Sequence, residues 1–104
     1  MPSPDHKYRI LYVGNNLALL TFLNERLKHL DCHVVRCPGG STSRSLINNI
    51  NYSLLLFDDE LPDTTGAELK RFTRSLAHRK QTPIIIFGKS DDFNGLAKSI
   101  IHEL

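Results

Sequence analysis

The sequence predicts an α/β fold: an open parallel sheet with helices on both faces. Short apolar runs alternate with helix-period stretches four times along the 104 residues. That alternation packs as parallel strands joined by crossover helices. The third and fourth runs are apolar at nearly every position, as strands covered on both faces are. Glycine, proline and asparagine punctuate the chain where strand gives way to helix.

The first strand is Arg9 to Val13, ended by Gly14-Asn15-Asn16. From Leu17 the period changes: Leu20, Leu23, Leu27 and Leu30 recur three and four apart, the stripe of an amphipathic helix that Asn15 or Asn16 can cap. Cys32 to Cys37 is the second strand, broken by Pro38-Gly39-Gly40, and Ser41 to about Asn49 a second helix with Leu46, Ile47 and Ile50 on one face. Ser53 to Phe57 is the third strand. Thr65 to Glu68 has the spacing of a capping box, with Leu69, Phe72 and Leu76 as the inner face of the next helix. Pro83 to Phe87 is the fourth strand, broken by Gly88-Lys89. Ser90 can cap a last helix, with Asp91 and Asp92 in its first turn and Leu96, Ile100 and Leu104 as its stripe.

Residues 1–7 read as a loose polar arm and 8–104 as one domain. With 40% apolar residues the core is real but modest. A net charge of +2 is too weak to imply nucleic acid, and the sequence has no run long enough to span a bilayer and no signal-peptide core. Cys32 and Cys37 lie an odd number of positions apart in one strand, so they face opposite ways and are not expected to pair. A reducing, cytoplasmic setting follows.

The chemistry concentrates in Phe57-Asp58-Asp59-Glu60-Leu61-Pro62-Asp63-Thr64-Thr65-Gly66, where an apolar strand runs into four carboxylates around a proline. Like charges so close repel, and burying any of them is costly. In open parallel sheets ligands sit beyond the carboxyl ends of the strands. Those ends are Gly14-Asn15-Asn16, Asp58-Asp59-Glu60 and Gly88-Lys89, so these residues are expected to line the site. Asp59, Glu60 and Asp63 read as a solvated rim. Lys70, Arg74 and His78, with Arg71, Arg79 and Lys80 nearby, read as a solvated basic helix face. No Ser-His-Asp or Cys-His set is recognisable, which leaves little support for a hydrolase.

These residues resemble a response-regulator receiver domain of two-component signalling. "RILYVGNN" stands where receivers have their first strand and acidic turn. "FDDELPDTTG" puts Asp58 in the phosphoacceptor position, with Pro62 and Gly66 in register, and "TPIIIFGKSDD" stands for the fourth strand. The resemblance implies a flavodoxin-like fold with strand order 2-1-3-4. It also implies a signalling role, with Asp58 as the candidate phosphoacceptor and magnesium as the cation.

The departures set expectations too. Gly14 and Asn15 replace the family's two magnesium-holding acids, Gly88 its hydroxyl residue, and Asp59 its usual apolar residue. The chain stops at Leu104, before the usual fifth strand and fifth helix and the family's lysine. Phosphoryl transfer to a carboxylate needs positive charge, and each lost partner removes some. Asp58 and Glu60 remain as weak metal candidates, and Lys89 as a substitute for the lysine. The expectation is therefore a non-enzymatic, degenerate receiver-like domain with no cofactor or only weak Mg²⁺, acting by binding a histidine kinase or downstream effector. A homodimer is expected, in which copies cover each other's fourth strand and the last helix reaches across. The alternative is a Mg²⁺-dependent phosphoacceptor receiver, phosphorylated on Asp58, forming the N-terminal part of a longer regulator.

Overall fold

The apolar runs become four parallel strands. In a computed structural model describing residues 7–88 and 91–104, these are β1 (Tyr8–Val13), β2 (Cys32–Cys37), β3 (Leu54–Asp58) and β4 (Ile84–Phe87). They hydrogen-bond in the order β2-β1-β3-β4. β1 and β3 are central, and Ile10 to Val13 and Leu54 to Phe57 are buried completely. Continuous apolar sequence in these strands thus reflects cover on both faces, each such side chain contributing about 1.5–3 kcal/mol. β4 lies at the edge, and Ile84, Ile85 and Ile86 are only partly buried.

The helices are α1 (Leu17–Arg26), α2 (Gly40–Asn49), α3 (Gly66–Ser75) and α4 (Phe93–Glu103). They divide the core in two. On one face Leu19, Leu23 and Leu27 of the α1 region and Leu96 and Ile100 of α4 pack against Ile10, Tyr12, Leu54, Leu56 and Phe87. On the other, Ile47 of α2 and Leu69 of α3 pack against Leu11, Val13, Leu55 and Phe57. Cys32 borders the first core and Cys37 belongs to the second, and both are free thiols, as their spacing requires. The last helix therefore folds over its own sheet beside α1. It does not reach away to a partner, because Leu96 and Ile100 find their apolar cover within the chain.

Local chemistry sets the helix ends. Asn16 accepts from the Leu19 N–H at 3.0 Å and caps α1. The helix stops at Arg26, so Leu30 falls in a 3₁₀ turn, Lys28–Leu30, which Asp31 closes at φ 52°. Thr65 accepts from the Glu68 N–H at 3.1 Å, but Glu68 turns its carboxylate to Arg71 at 2.6 Å, so only half of the expected box forms. α4 is capped by Asp92, which accepts from the Asn94 and Gly95 N–H groups. Ser90, the expected cap, lies outside the described residues, as do residues 1–6 of the expected arm. Lys7 is tied down, its N–H donating to the Asp31 carboxylate.

The basic stretch after α3 is largely structural. Arg79 is buried, 5% exposed, and its guanidinium donates to the Ile47 and Ile50 carbonyls and to Asn51 Oδ1. It thereby takes up carbonyls left over at the C-terminal end of α2. Arg74 donates to the Arg79 carbonyl and His78 contacts the Asn48 carbonyl. Lys70, Arg71, His78 and Lys80 are exposed, as a solvated basic face would be, while Arg79 and in part Arg74 leave it to clasp the end of α2.

Candidate functional site

The carboxyl ends of β1, β3 and β4 open onto one cleft of about 360 Å³. Asn15, Asn16, Asp58, Asp59, Glu60 and Gly88 line it, as the strand-end rule predicts. Phe87, Asp91 and Phe93 complete the lining. Gly14 stands directly behind Asp58, and Lys89 lies outside the described residues.

Asp58 is half-buried at the end of β3, and each carboxylate oxygen accepts a hydrogen bond. The Tyr12 hydroxyl donates to Oδ1 at 2.7 Å, and the Asn15 N–H donates to Oδ2 at 3.1 Å. The same hydroxyl oxygen accepts from the Asn16 N–H at 3.0 Å. Tyr12 is fully buried. Burial first, and then the bond to Asp58, push its phenol well above the ordinary tyrosine range, so it stays protonated and keeps donating.

Arg36 completes the arrangement from β2. Its Nε donates to the Gly14 carbonyl at 3.0 Å and its Nη2 to Asn15 Oδ1 at 2.8 Å. Asn15 Nδ2 in turn donates to the Pro38 carbonyl at 3.1 Å. The Asn15 side chain is thus committed at both ends, its one possible ligand oxygen facing a guanidinium.

The acidic loop divides by role. Asp59 and Glu60 are exposed at the rim, with Glu60 bridging back to Thr65. Asp63, expected to be solvated rim, instead receives the Gly40 and Ser41 N–H groups at 2.9 and 2.8 Å. It caps α2 from a distant part of the chain, and those two bonds, Gly40 first, hold its carboxyl below the usual range. Asp91 accepts from the Gly88 N–H at 2.7 Å, closing the turn after β4.

Among the described residues the cleft offers a cation the carboxylates of Asp58, Asp59, Glu60 and Asp91. Hard cations take several oxygens, preferably carboxylates. Among the described residues, no three His, Cys, Asp or Glu side chains come together to hold a metal ion. Asp58 and Glu60 therefore form no ligand set with a third acid. The charged residues of the described lining are the acids Asp58, Asp59, Glu60 and Asp91, and phosphoryl transfer calls for positive charge around the transferring group.

Tyr12, Arg36, Asp91 and Phe93 were not anticipated as site residues. Tyr12 carried a signal: it is an aromatic between the aliphatic residues Leu11 and Val13, two positions before a glycine, and so on that glycine's side of the sheet. Arg36 carried none before the register set it opposite Tyr12.

No family model matches the chain. It is 28% identical over 76 residues to the signal transduction histidine-protein kinase BarA of Escherichia coli, covering 73% of this chain and 8% of that protein. It is 33% identical over 84 residues to a protein-glutamate methylesterase/protein-glutamine glutaminase of Trichodesmium erythraeum, 78% of this chain and 23% of that protein. It is 27% identical over 96 residues to a two-component response regulator of Arabidopsis thaliana, 90% of this chain and 14% of that protein. The chain thus spans a small part of each relative. Among solved structures, the receiver domain of a Pseudomonas aeruginosa sensor histidine kinase, holding magnesium in its active-site cleft, aligns with a TM-score of 0.75 at 18% identity, covering 91% of this chain and 95% of that one. A chemotaxis response regulator of Vibrio cholerae aligns with a TM-score of 0.79 at 17% identity, covering 93% and 98%.

Proposed function

We propose that this chain, which has the fold of a response-regulator receiver domain, acts in two-component signalling through contact with another signalling protein rather than by phosphoryl transfer. Residues 8–104 act as one unit, on the cytoplasmic side of the signalling path. Among the described residues no helix is long and apolar enough to cross a membrane.

The observation that supports this reading is the state of Asp58. Both its oxygens are engaged by neutral donors from β1 and the turn after it, in a cleft whose other charged lining residues are acids. Phosphoryl transfer draws its acceleration from positive charge placed around the transferring group. The lining described here offers none.

The second reading is a phosphoacceptor receiver using Asp58 and magnesium. It is favoured by the position of Asp58 at the carboxyl end of β3, open to the cleft. Incubation with acetyl phosphate and magnesium, followed by intact-mass measurement, separates the two. The expected result is no acyl-phosphate adduct, with wild type and Asp58→Asn indistinguishable. Rapid magnesium-dependent labelling that disappears in Asp58→Asn would establish the second reading.

A further inference from the structure

We infer that Tyr12 and Gly14 act as a pair that takes the place of an outside cation at Asp58, turning the carboxylate into a strut that fixes the turn between β1 and α1 and leaving the cleft indifferent to divalent metals. This rests on the reading of Asp58 as unphosphorylated, and adds what the carboxylate does instead.

Space is the first ground. A Cβ at residue 14 would lie 2.4 Å from Asp58 Cγ and 2.5 Å from Tyr12 Oη. Any side chain there would therefore push the phenol and the carboxylate apart. Only glycine lets the two meet at 2.7 Å. Tyr12 and Gly14 are two apart along β1, on the same side, so the hydroxyl reaches over the position where a side chain at 14 would stand.

Connectivity is the second. The phenol oxygen does two jobs, donating to Asp58 and accepting from the Asn16 N–H. Asn16 is the residue that caps α1. Asn15, between them, gives its own N–H to the other carboxylate oxygen. The end of β3 is thereby tied to two successive amides of the turn and, through the phenol, to the start of a helix. The two bonds of the phenol are part-buried, and breaking one side only of such a bond leaves its partner unmet.

Charge is the third. A divalent ion at Asp58 would share each carboxylate oxygen with a donor already bound there, the phenol or the Asn15 amide, and would find Asn15 Oδ1 taken by the Arg36 guanidinium. Asp58 accepts from two donors, so Asp58→Asn, which keeps one oxygen and turns the other into a donor, should weaken the fold. Like-charge repulsion from Asp59, Glu60 and Asp91 alone would give the opposite sign.

A double-mutant cycle in EDTA tests this. Tyr12→Phe and Asp58→Asn are each expected to lower the thermal midpoint, and the double variant to lie no lower than the worse single. Amide resonances of Asn15 and Asn16 should move in Tyr12→Phe. Additive losses, unmoved amides or an Asp58→Asn variant more stable than wild type would overturn the inference. Magnesium chloride is the second probe. Wild type should show no midpoint shift at millimolar magnesium, while Tyr12→Val with Gly14→Asp and Asn15→Asp should gain one that a further Asp58→Asn removes. A wild-type shift lost in Asp58→Asn would also overturn it; if the triple variant does not fold, the cycle still decides. Acetyl phosphate labelling of Asp58 would overturn the underlying reading, whereas an uncoupled cycle with Asp58 unlabelled overturns this inference alone.

Discussion

Asp63 shows how one carboxylate can change role without changing place in the sequence. It sits five positions after Asp58 in what reads as a single acidic loop, yet it caps α2 through the Gly40 and Ser41 amides. Gly40 is needed for that approach, since a Cβ there would come within 2.3 Å of Thr64 Cγ2. Because the folded-state pKa of Asp63 is lowered, its contribution is fully present above the unfolded carboxylate value and lost as pH falls through the folded one. Asp63→Ala is therefore expected to unfold more easily than wild type at neutral pH. The gap should narrow as pH drops below about 4. Urea denaturation across a pH series measures it, and a gap that widens on acidification would contradict this account. The acid itself was legible in the sequence, but its partner was not, because the pairing joins two loops that meet only once β1 lies between β2 and β3.

Elements were more legible than their ends. Continuous apolar runs and helix stripes of period 3.6 are local patterns, and all four strands formed where those runs stood. Caps held where donor and acceptor are neighbours, as at Asn16 and Thr65. For α2 no cap was expected, and its first amides go to Asp63 of a distant loop; for α4 the cap is Asp92, next to the acids and hydroxyl that adjoin it in sequence. The α2–α3 clasp belongs to this scale. Arg79 buries a charge that three oxygens at the end of α2 satisfy, with no carboxylate involved. Arg79→Met should leave those acceptors unmet and lower stability by about 2 kcal/mol or more, seen as a lower urea midpoint with unchanged slope. Arg79→Lys should recover only part, because one ammonium cannot span the acceptors that a planar guanidinium reaches. No loss in Arg79→Met would show the clasp to be incidental.

At the scale of the whole molecule, the sheet's order was legible through resemblance and its strand ends through the rule for open α/β sheets. The side chosen by the last helix was not, because both faces offer an apolar surface and only packing decides between them. That choice bears on assembly. With α4 beside α1, the face carrying α2 and α3 keeps Ile84 and Ile86 partly exposed along β4, whose outer edge pairs with no strand among the described residues. Such an edge invites pairing with another chain. Self-association is expected to appear in sedimentation across a concentration series. Ile86→Lys, at a position outside both buried clusters, should suppress it. A monomer at every concentration would show that α4 alone relieves the edge.

The seating of α4 against α1 also has a consequence in time. During synthesis β1 and α1 emerge before β2, β3 and β4, and the helix that covers Leu19 and Leu23 emerges after all four strands. Half of the core therefore waits for α4, and such long-range closure slows folding. Nascent chains stalled before Phe93 should remain open to protease even with β1 to β4 outside the exit tunnel. Chains stalled with Leu104 well clear of it should become resistant in a single step. Resistance gained earlier would mean that the sheet and the α2–α3 layer can stand without their closing helix.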